Sequence, residues 1–92
     1  MQNFQIYERE IMENKMTAIL WSKYHCPYCD QAKQLLKTKG YAIEERKIGD
    51  GWSKDELLES VPSARSVPQI FLDGTYIGGF DELKKYFNPV IL

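Results

Sequence analysis

Cysteine is scarce in this 92-residue chain, which carries only Cys26 and Cys29. A secreted disulfide scaffold of this size usually has four or more cysteines at wider spacings. Two thiols also cannot complete the four-ligand set of a structural zinc site. The single histidine, His25, adjoins Cys26 and cannot readily close a chelate with it. Long apolar runs are missing too. The longest, Ala18 to Trp21, is far too short to cross a bilayer. Nor is there an excess of one charge: the net value of -1 gives no general attraction to nucleic acid or anionic lipid. Glu8, Arg9, Glu10 and Glu13 interrupt the opening residues, so they lack the apolar core of a secretory signal. A cytoplasmic protein with no nucleic-acid or membrane partner is expected. The length suits one domain, and 43% apolar with 13% aromatic residues argues against disorder.

Residues 1–16 read as an N-terminal extension and 17–92 as the domain. Phe4, Ile6, Tyr7, Ile11 and Met12 have a loosely helical spacing that suggests a short helix. Met16 is an alternative translation start, because the recognisable pattern begins directly after it. Thr17–Ser22 is apolar and rich in β-favouring residues, as a buried central strand would be. Pro27–Lys39 reads as a helix with Cys29, Ala32, Leu35, Leu36 and Lys39 on one face, stopped by Gly40. Tyr41–Ile48 reads as a second strand. Its charged run Glu44-Glu45-Arg46-Lys47 suits a sheet edge, where charge discourages unwanted pairing. Ser53-Lys-Asp-Glu56 is a capping box that opens a helix running to Pro62.

Asp73-Gly74 between Gln69–Leu72 and Thr75–Ile77 predicts a two-residue hairpin. Gly78-Gly79 breaks the strand, and Phe80, Leu83, Tyr86 and Phe87 follow at helical spacing to Asn88-Pro89. The order is β-α-β-α-β-β-α. Strands joined through a helix are expected to run parallel with a right-handed crossover. An α/β domain follows, with a four-stranded mixed sheet and helices packed on it.

Cys26-Pro27-Tyr28-Cys29 falls where the first strand ends and the first helix begins. Pro27 suits the first helical position, where its missing N–H removes nothing the helix needs. Cys26 then takes the N-cap, its sulfur facing unpaired N–H groups and the positive end of the helix dipole. Lys23 adds positive charge three residues earlier. Free cysteine titrates near ~8.5, and sites of this kind hold it at roughly 3.5–7.5. Cys26 is therefore expected to be largely thiolate at neutral pH. Cys29 lies one turn further on, on the apolar face, and should be the more buried. Cys26 would attack a disulfide, and Cys29 would resolve the mixed disulfide. Spacing alone leaves two other readings open: half of a metal site shared between subunits, or two core cysteines. Placement at a strand-to-helix junction favours redox chemistry.

Three segments resemble the glutaredoxins: Lys23-Tyr-His-Cys26-Pro-Tyr-Cys29, Arg65-Ser66-Val67-Pro68 and Gly78-Gly79-Phe80-Asp81. Their order and separations fit over residues 17–87. The resemblance implies a thioredoxin-like fold with four strands and about three helices. It implies a glutathione–disulfide oxidoreductase that reduces protein disulfides and glutathione mixed disulfides. It also implies a cis peptide before Pro68, with the Val67 backbone pairing with the cysteinyl part of glutathione. Lys23 and Arg65 would hold the glycyl carboxylate, and Tyr28 would flank the sulfur. Backbone N–H groups of Gly79, Phe80 and Asp81 would hold the γ-glutamyl carboxylate, and the Asp81 side chain its ammonium. An acid in a first helical turn also stabilises the helix by itself, so both roles stand for Asp81.

Ser66 departs from the family's usual threonine, Ala64 from a polar residue, and Glu82 from a common aspartate. His25 stands where thioredoxins have tryptophan, which points to glutathione rather than a thioredoxin reductase as electron donor. No metal cofactor is expected, and a monomer is. A thioredoxin-like reductase and a glutathione-ligated iron–sulfur carrier are the competing readings. Proline after the first cysteine disfavours the carrier. Ribonucleotide reductase is a family-typical substrate that nothing in this sequence selects.

Overall fold

The computed structural model describes residues 16–88, so the short helix expected among residues 1–16 lies outside them but for Met16, an exposed residue ahead of the first strand. Seven elements follow in order: β1 (Thr17–Lys23), α1 (Pro27–Thr38), β2 (Ala42–Ile48), α2 (Lys54–Ser60), β3 (Gln69–Leu72), β4 (Thr75–Gly78) and α3 (Phe80–Phe87). The four strands form one sheet in the order β2-β1-β3-β4. Strand β1 pairs in parallel with β2 from Thr17↔Ala42 to Lys23↔Ile48, and antiparallel with β3 from Ala18↔Leu72 to Trp21↔Gln69. The element order and mixed sheet are those the sequence pattern predicts, and the fold is the thioredoxin-like architecture that the family resemblance implied.

Side chains alternate across a strand, and β1 is apolar on both faces, so it can separate two cores. On one side Ala18 and Leu20 meet Ala32 and Leu36 of α1 and Leu83 of α3. On the other, Trp21 meets Leu57 of α2 and Val61, with Ile19 packed alongside. The sheet is thus sandwiched between α1 with α3 and the shorter α2. Leu20, Leu36, Ile70 and Leu83 are fully buried. Each such side chain contributes about 1.5–3 kcal/mol relative to exposure.

The turns follow local chemistry. Asp73 (φ 49°) and Gly74 (φ 85°) both take left-handed backbone, as a tight two-residue hairpin requires. Helix α1 ends at Thr38, one residue before the predicted Lys39. Gly40 (φ 88°) donates to the Lys37 carbonyl, and Tyr41 to that of Leu36, which closes the last turn. Helix α2 stops at Ser60 rather than Pro62, with Val61 as its cap.

One expectation is corrected. Helix-linked strands were expected to run parallel; β1 and β2 do, but β2 and β3 run in opposite directions. Helix α2 has only seven residues, and the loop from Val61 to Pro68 brings the chain back on the far side of β1. The β2–α2–β3 passage is therefore not a crossover between neighbouring strands. Strand β2 is an edge, as its charges suggested, but Glu45, Arg46 and Lys47 are half-buried. The Arg46 guanidinium lies 4.5 Å from the Trp52 ring and 5.2 Å from that of Trp21.

Candidate active site

The buried strand β1 delivers the chain to a sharp turn at Tyr24-His25. His25 is left-handed (φ 56°), a conformation uncommon outside glycine, and it swings Cys26 into the N-cap of α1. Cys26 is extended (φ -121°, ψ 95°), and Pro27 opens the helix. The Cys26 sulfur accepts the backbone N–H of Cys29 at 3.3 Å. That donor is one of the four that a helix start leaves without partners, so the cap draws sulfur toward the positive end of α1.

Cys26 and Cys29 are joined as a disulfide with their Cα atoms 5.2 Å apart. Cys26 retains 7% of its surface and Cys29 only 1%. An external nucleophile therefore meets more of Cys26 than of Cys29, although both are largely buried. The Val67 carbonyl oxygen stands 3.8 Å from the Cys26 sulfur, beside the cis Val67–Pro68 peptide. A reduced Cys26 thiol would have a proton to donate there; the disulfide sulfur has none.

Six of the residues singled out for glutathione line one cleft of about 290 Å³: Tyr28, Val67, Pro68, Gly79, Phe80 and Asp81. Tyr28 is exposed, and its ring centroid lies 6.1 Å from that of Phe80, so α1 and α3 each place one aromatic ring at this cleft. Lys23 and Arg65 are not in this cleft. They meet in a second depression of about 230 Å³, and the two hollows share Ser66 and Val67 as a common wall.

The start of α3 differs in detail from expectation. The Gly79 N–H is held by the Glu82 carboxylate at 2.9 Å, so an incoming carboxylate is left with those of Phe80 and Asp81. Glu82 sits at the third helical position, where a carboxylate reaches back to an unpaired donor of the first turn. Gly78 (φ 125°) makes room for it, since a Cβ there would lie 2.9 Å from the Glu82 Cγ. The Asp81 side chain is 80% exposed, and its Oδ1 lies 3.6 Å from Lys84 Nζ.

Sequence reasoning did not place Glu82 in the cleft wall, although the glutamate three residues past Gly79 was a readable capping signal. It also missed Lys54, Leu57 and Leu58, which α2 brings to the second depression. Nothing local marks them, because only the packing of α2 against β1 turns them toward the 64–67 loop. Among the described residues, no three His, Cys, Asp or Glu side chains gather so as to hold a metal ion.

The family model described as Glutaredoxin matches residues 18–77. Glutaredoxin 3 of Escherichia coli (strain K12) is 41% identical over 64 residues, which cover 70% of this chain and 77% of that protein. The hybrid peroxiredoxin hyPrx5 of Haemophilus influenzae is 41% identical over 68 residues, covering 74% of this chain. The chain spans only 28% of the length of hyPrx5 and about half that of plant glutaredoxins it also matches. Among solved structures, glutaredoxin 1 from Francisella tularensis in complex with cacodylate superposes with a TM-score of 0.68. It is 31% identical, with 79% of this chain and 93% of that one covered. A buckwheat glutaredoxin–glutathione complex superposes at 0.61 with 25% identity, covering 91% of this chain and 78% of that one.

Proposed function

Because this chain belongs to the glutaredoxin family of thiol–disulfide oxidoreductases, we propose that it reduces protein disulfides and glutathione mixed disulfides with glutathione as reductant. The observation that carries the reading is the unequal burial of two cysteines at a helix N-terminus, the less buried one beside Val67 of the cleft wall. In the reduced protein the Cys26 thiolate attacks one sulfur of a substrate disulfide. That S–S bond breaks, the other sulfur leaves as a thiolate, and Cys26 is joined to the substrate. Cys29 loses its proton and attacks the Cys26 sulfur, which expels the second substrate thiolate and closes the Cys26–Cys29 disulfide. One glutathione thiolate then attacks Cys26 and frees Cys29. A second attacks the glutathione sulfur, releasing the Cys26 thiolate and glutathione disulfide. The sum is one disulfide reduced to two thiols, and two glutathiones oxidised to one disulfide.

Tyr28, Val67, Pro68, Gly79, Phe80 and Asp81 would seat the tripeptide in the first cleft, with Lys23 and Arg65 beyond the Val67 wall for its glycyl carboxylate. The buckwheat complex supports glutathione as the ligand, being a family member solved with it. A monomer in a reducing compartment such as the cytoplasm completes the proposal, since the disulfide must be reopened after each turnover. Turnover measured with glutathione, glutathione reductase and NADPH tests it. Cys26→Ser should abolish all activity; Cys29→Ser should keep turnover of glutathione mixed disulfides and lose that of protein disulfides. Full activity without Cys26, or without glutathione, would refute the assignment.

A further inference from the structure

The second depression holds more than one glycyl carboxylate needs. Its rim carries three cations, Lys23, Lys54 and Arg65, and no carboxylate lines it. Its floor is apolar, built from Ile48, Leu57 and Leu58. Glutathione has no apolar side chain to set on such a floor. Lys54 and Leu58 come from α2, which contributes nothing to the cleft at the start of α3. The depression lies close to the reactive sulfur, because Val67 belongs to its wall and the Val67 carbonyl oxygen lies 3.8 Å from Cys26 Sγ.

We infer that this depression docks the polypeptide segment flanking the reactive cysteine of a protein disulfide substrate, and that it selects segments carrying an apolar side chain together with a carboxylate. The inference rests on the thiol–disulfide reading above and adds to it a substrate class. A chain linked through its cysteine to Cys26 must pass Val67. There its apolar side chain can leave water on Leu57 and Leu58 while an adjacent aspartate or glutamate enters the combined field of three cations. Charge of one sign around a concave, partly apolar surface raises the local concentration of the opposite charge and speeds productive encounter. Small glutathione mixed disulfides need neither Lys54 nor the floor, so the two substrate classes separate at these residues.

The test compares two disulfide-linked synthetic peptides, Leu-Glu beside the reactive cysteine in one and Ser-Lys in the other. Bis(2-hydroxyethyl) disulfide serves as the small substrate, all with glutathione, glutathione reductase and NADPH. The wild-type chain should favour the Leu-Glu peptide by about fivefold or more in kcat/KM at low salt, with the preference shrinking as salt is added. Lys54→Glu should shrink the preference, and Leu58→Ser should reduce turnover of that peptide alone. Leu58→Ser should leave turnover of the small disulfide within about twofold of wild type, and Lys54→Glu should lower it less than it lowers that of the Leu-Glu peptide. Glutamate in a first helical turn favours the helix, so Lys54→Glu should fold. Equal use of the two peptides by wild type, or an equal loss on small disulfide and peptide in Lys54→Glu, overturns the docking inference. Failure of wild type to turn over the small disulfide with glutathione overturns the proposed function instead.

Discussion

Asp81 faces two possible partners of the same charge. Lys84 holds its ammonium 3.6 Å from the Asp81 carboxylate and 4.7 Å from the centroid of the Phe80 ring. In the proposed function the same carboxylate receives the ammonium of the γ-glutamyl group, so ligand and lysine compete. Both side chains of the ion pair are more than half exposed, and such a pair is worth at most about 1 kcal/mol. Removing the lysine should therefore tighten the ligand by no more than about fivefold. Lys84→Ala is expected to lower KM for a glutathione mixed disulfide within that limit, with kcat little changed. The gain should vanish in an Asp81→Asn background. An increase in KM would mean that Lys84 attracts the ligand's carboxylates instead, and competition for Asp81 would be the wrong account.

Helix α2 is where local chemistry matters most at the level of elements. Seven residues are too few to form a stable helix alone, so caps and packing must hold it. The Ser53 hydroxyl accepts the Glu56 N–H at 3.1 Å, and the Glu56 carboxylate accepts the Ser53 N–H at 2.8 Å. Ser53→Ala should destabilise the fold by about 1 kcal/mol and Ser53→Gly by a few tenths, measured by urea unfolding. Equal stability of all three proteins would show that packing of Leu57 and Val61 alone fixes the helix. This box was legible in the sequence because both of its hydrogen bonds are local, joining residues three apart, Ser53 and Glu56. The Asp73-Gly74 hairpin and the Pro27 helix start were legible for the same reason. The direction of β3 was not, since it depends on the end of the sheet at which the 61–68 loop re-enters, here the end where β2 leaves it. The charged run at 44–47 marked an edge strand correctly, yet nothing local revealed that Arg46 stacks on Trp52 or that Glu45 reaches Ser22. Trp52 stands beyond the end of the strand and Ser22 lies 23 residues from Glu45, so neither contact is written in the run itself. The cysteine pair was legible as chemistry, whereas the second depression required α2 to be placed first.

At the scale of the whole molecule, Glu45 ties three elements together. It lies on β2, accepts the hydroxyl of the fully buried Ser22 of β1 at 2.7 Å, and pairs with Lys33 of α1 at 2.8 Å. Burial pushes the Glu45 carboxyl up, but the hydrogen bonds from Lys33 and Ser22, with the charges of Lys33 and Lys47, outweigh it and hold it below its ordinary value of 4.5. The unfolded chain therefore takes up this proton at higher pH than the native protein does. Its contribution to stability is fully present above 4.5 and disappears as pH falls through the lower native value. Glu45→Gln keeps an acceptor for Ser22 and removes the charge facing Lys33. The variant should be less stable than wild type at pH 7 by about 1 kcal/mol, because the pair is about a quarter exposed and solvent screens it. As pH falls through the lowered native value the gap should close, since the wild-type carboxyl then loses its own charge. Urea midpoints for both proteins across that range decide the matter: a gap that stays constant or widens in acid would mean that the carboxylate's charge is not what holds β1, β2 and α1 together.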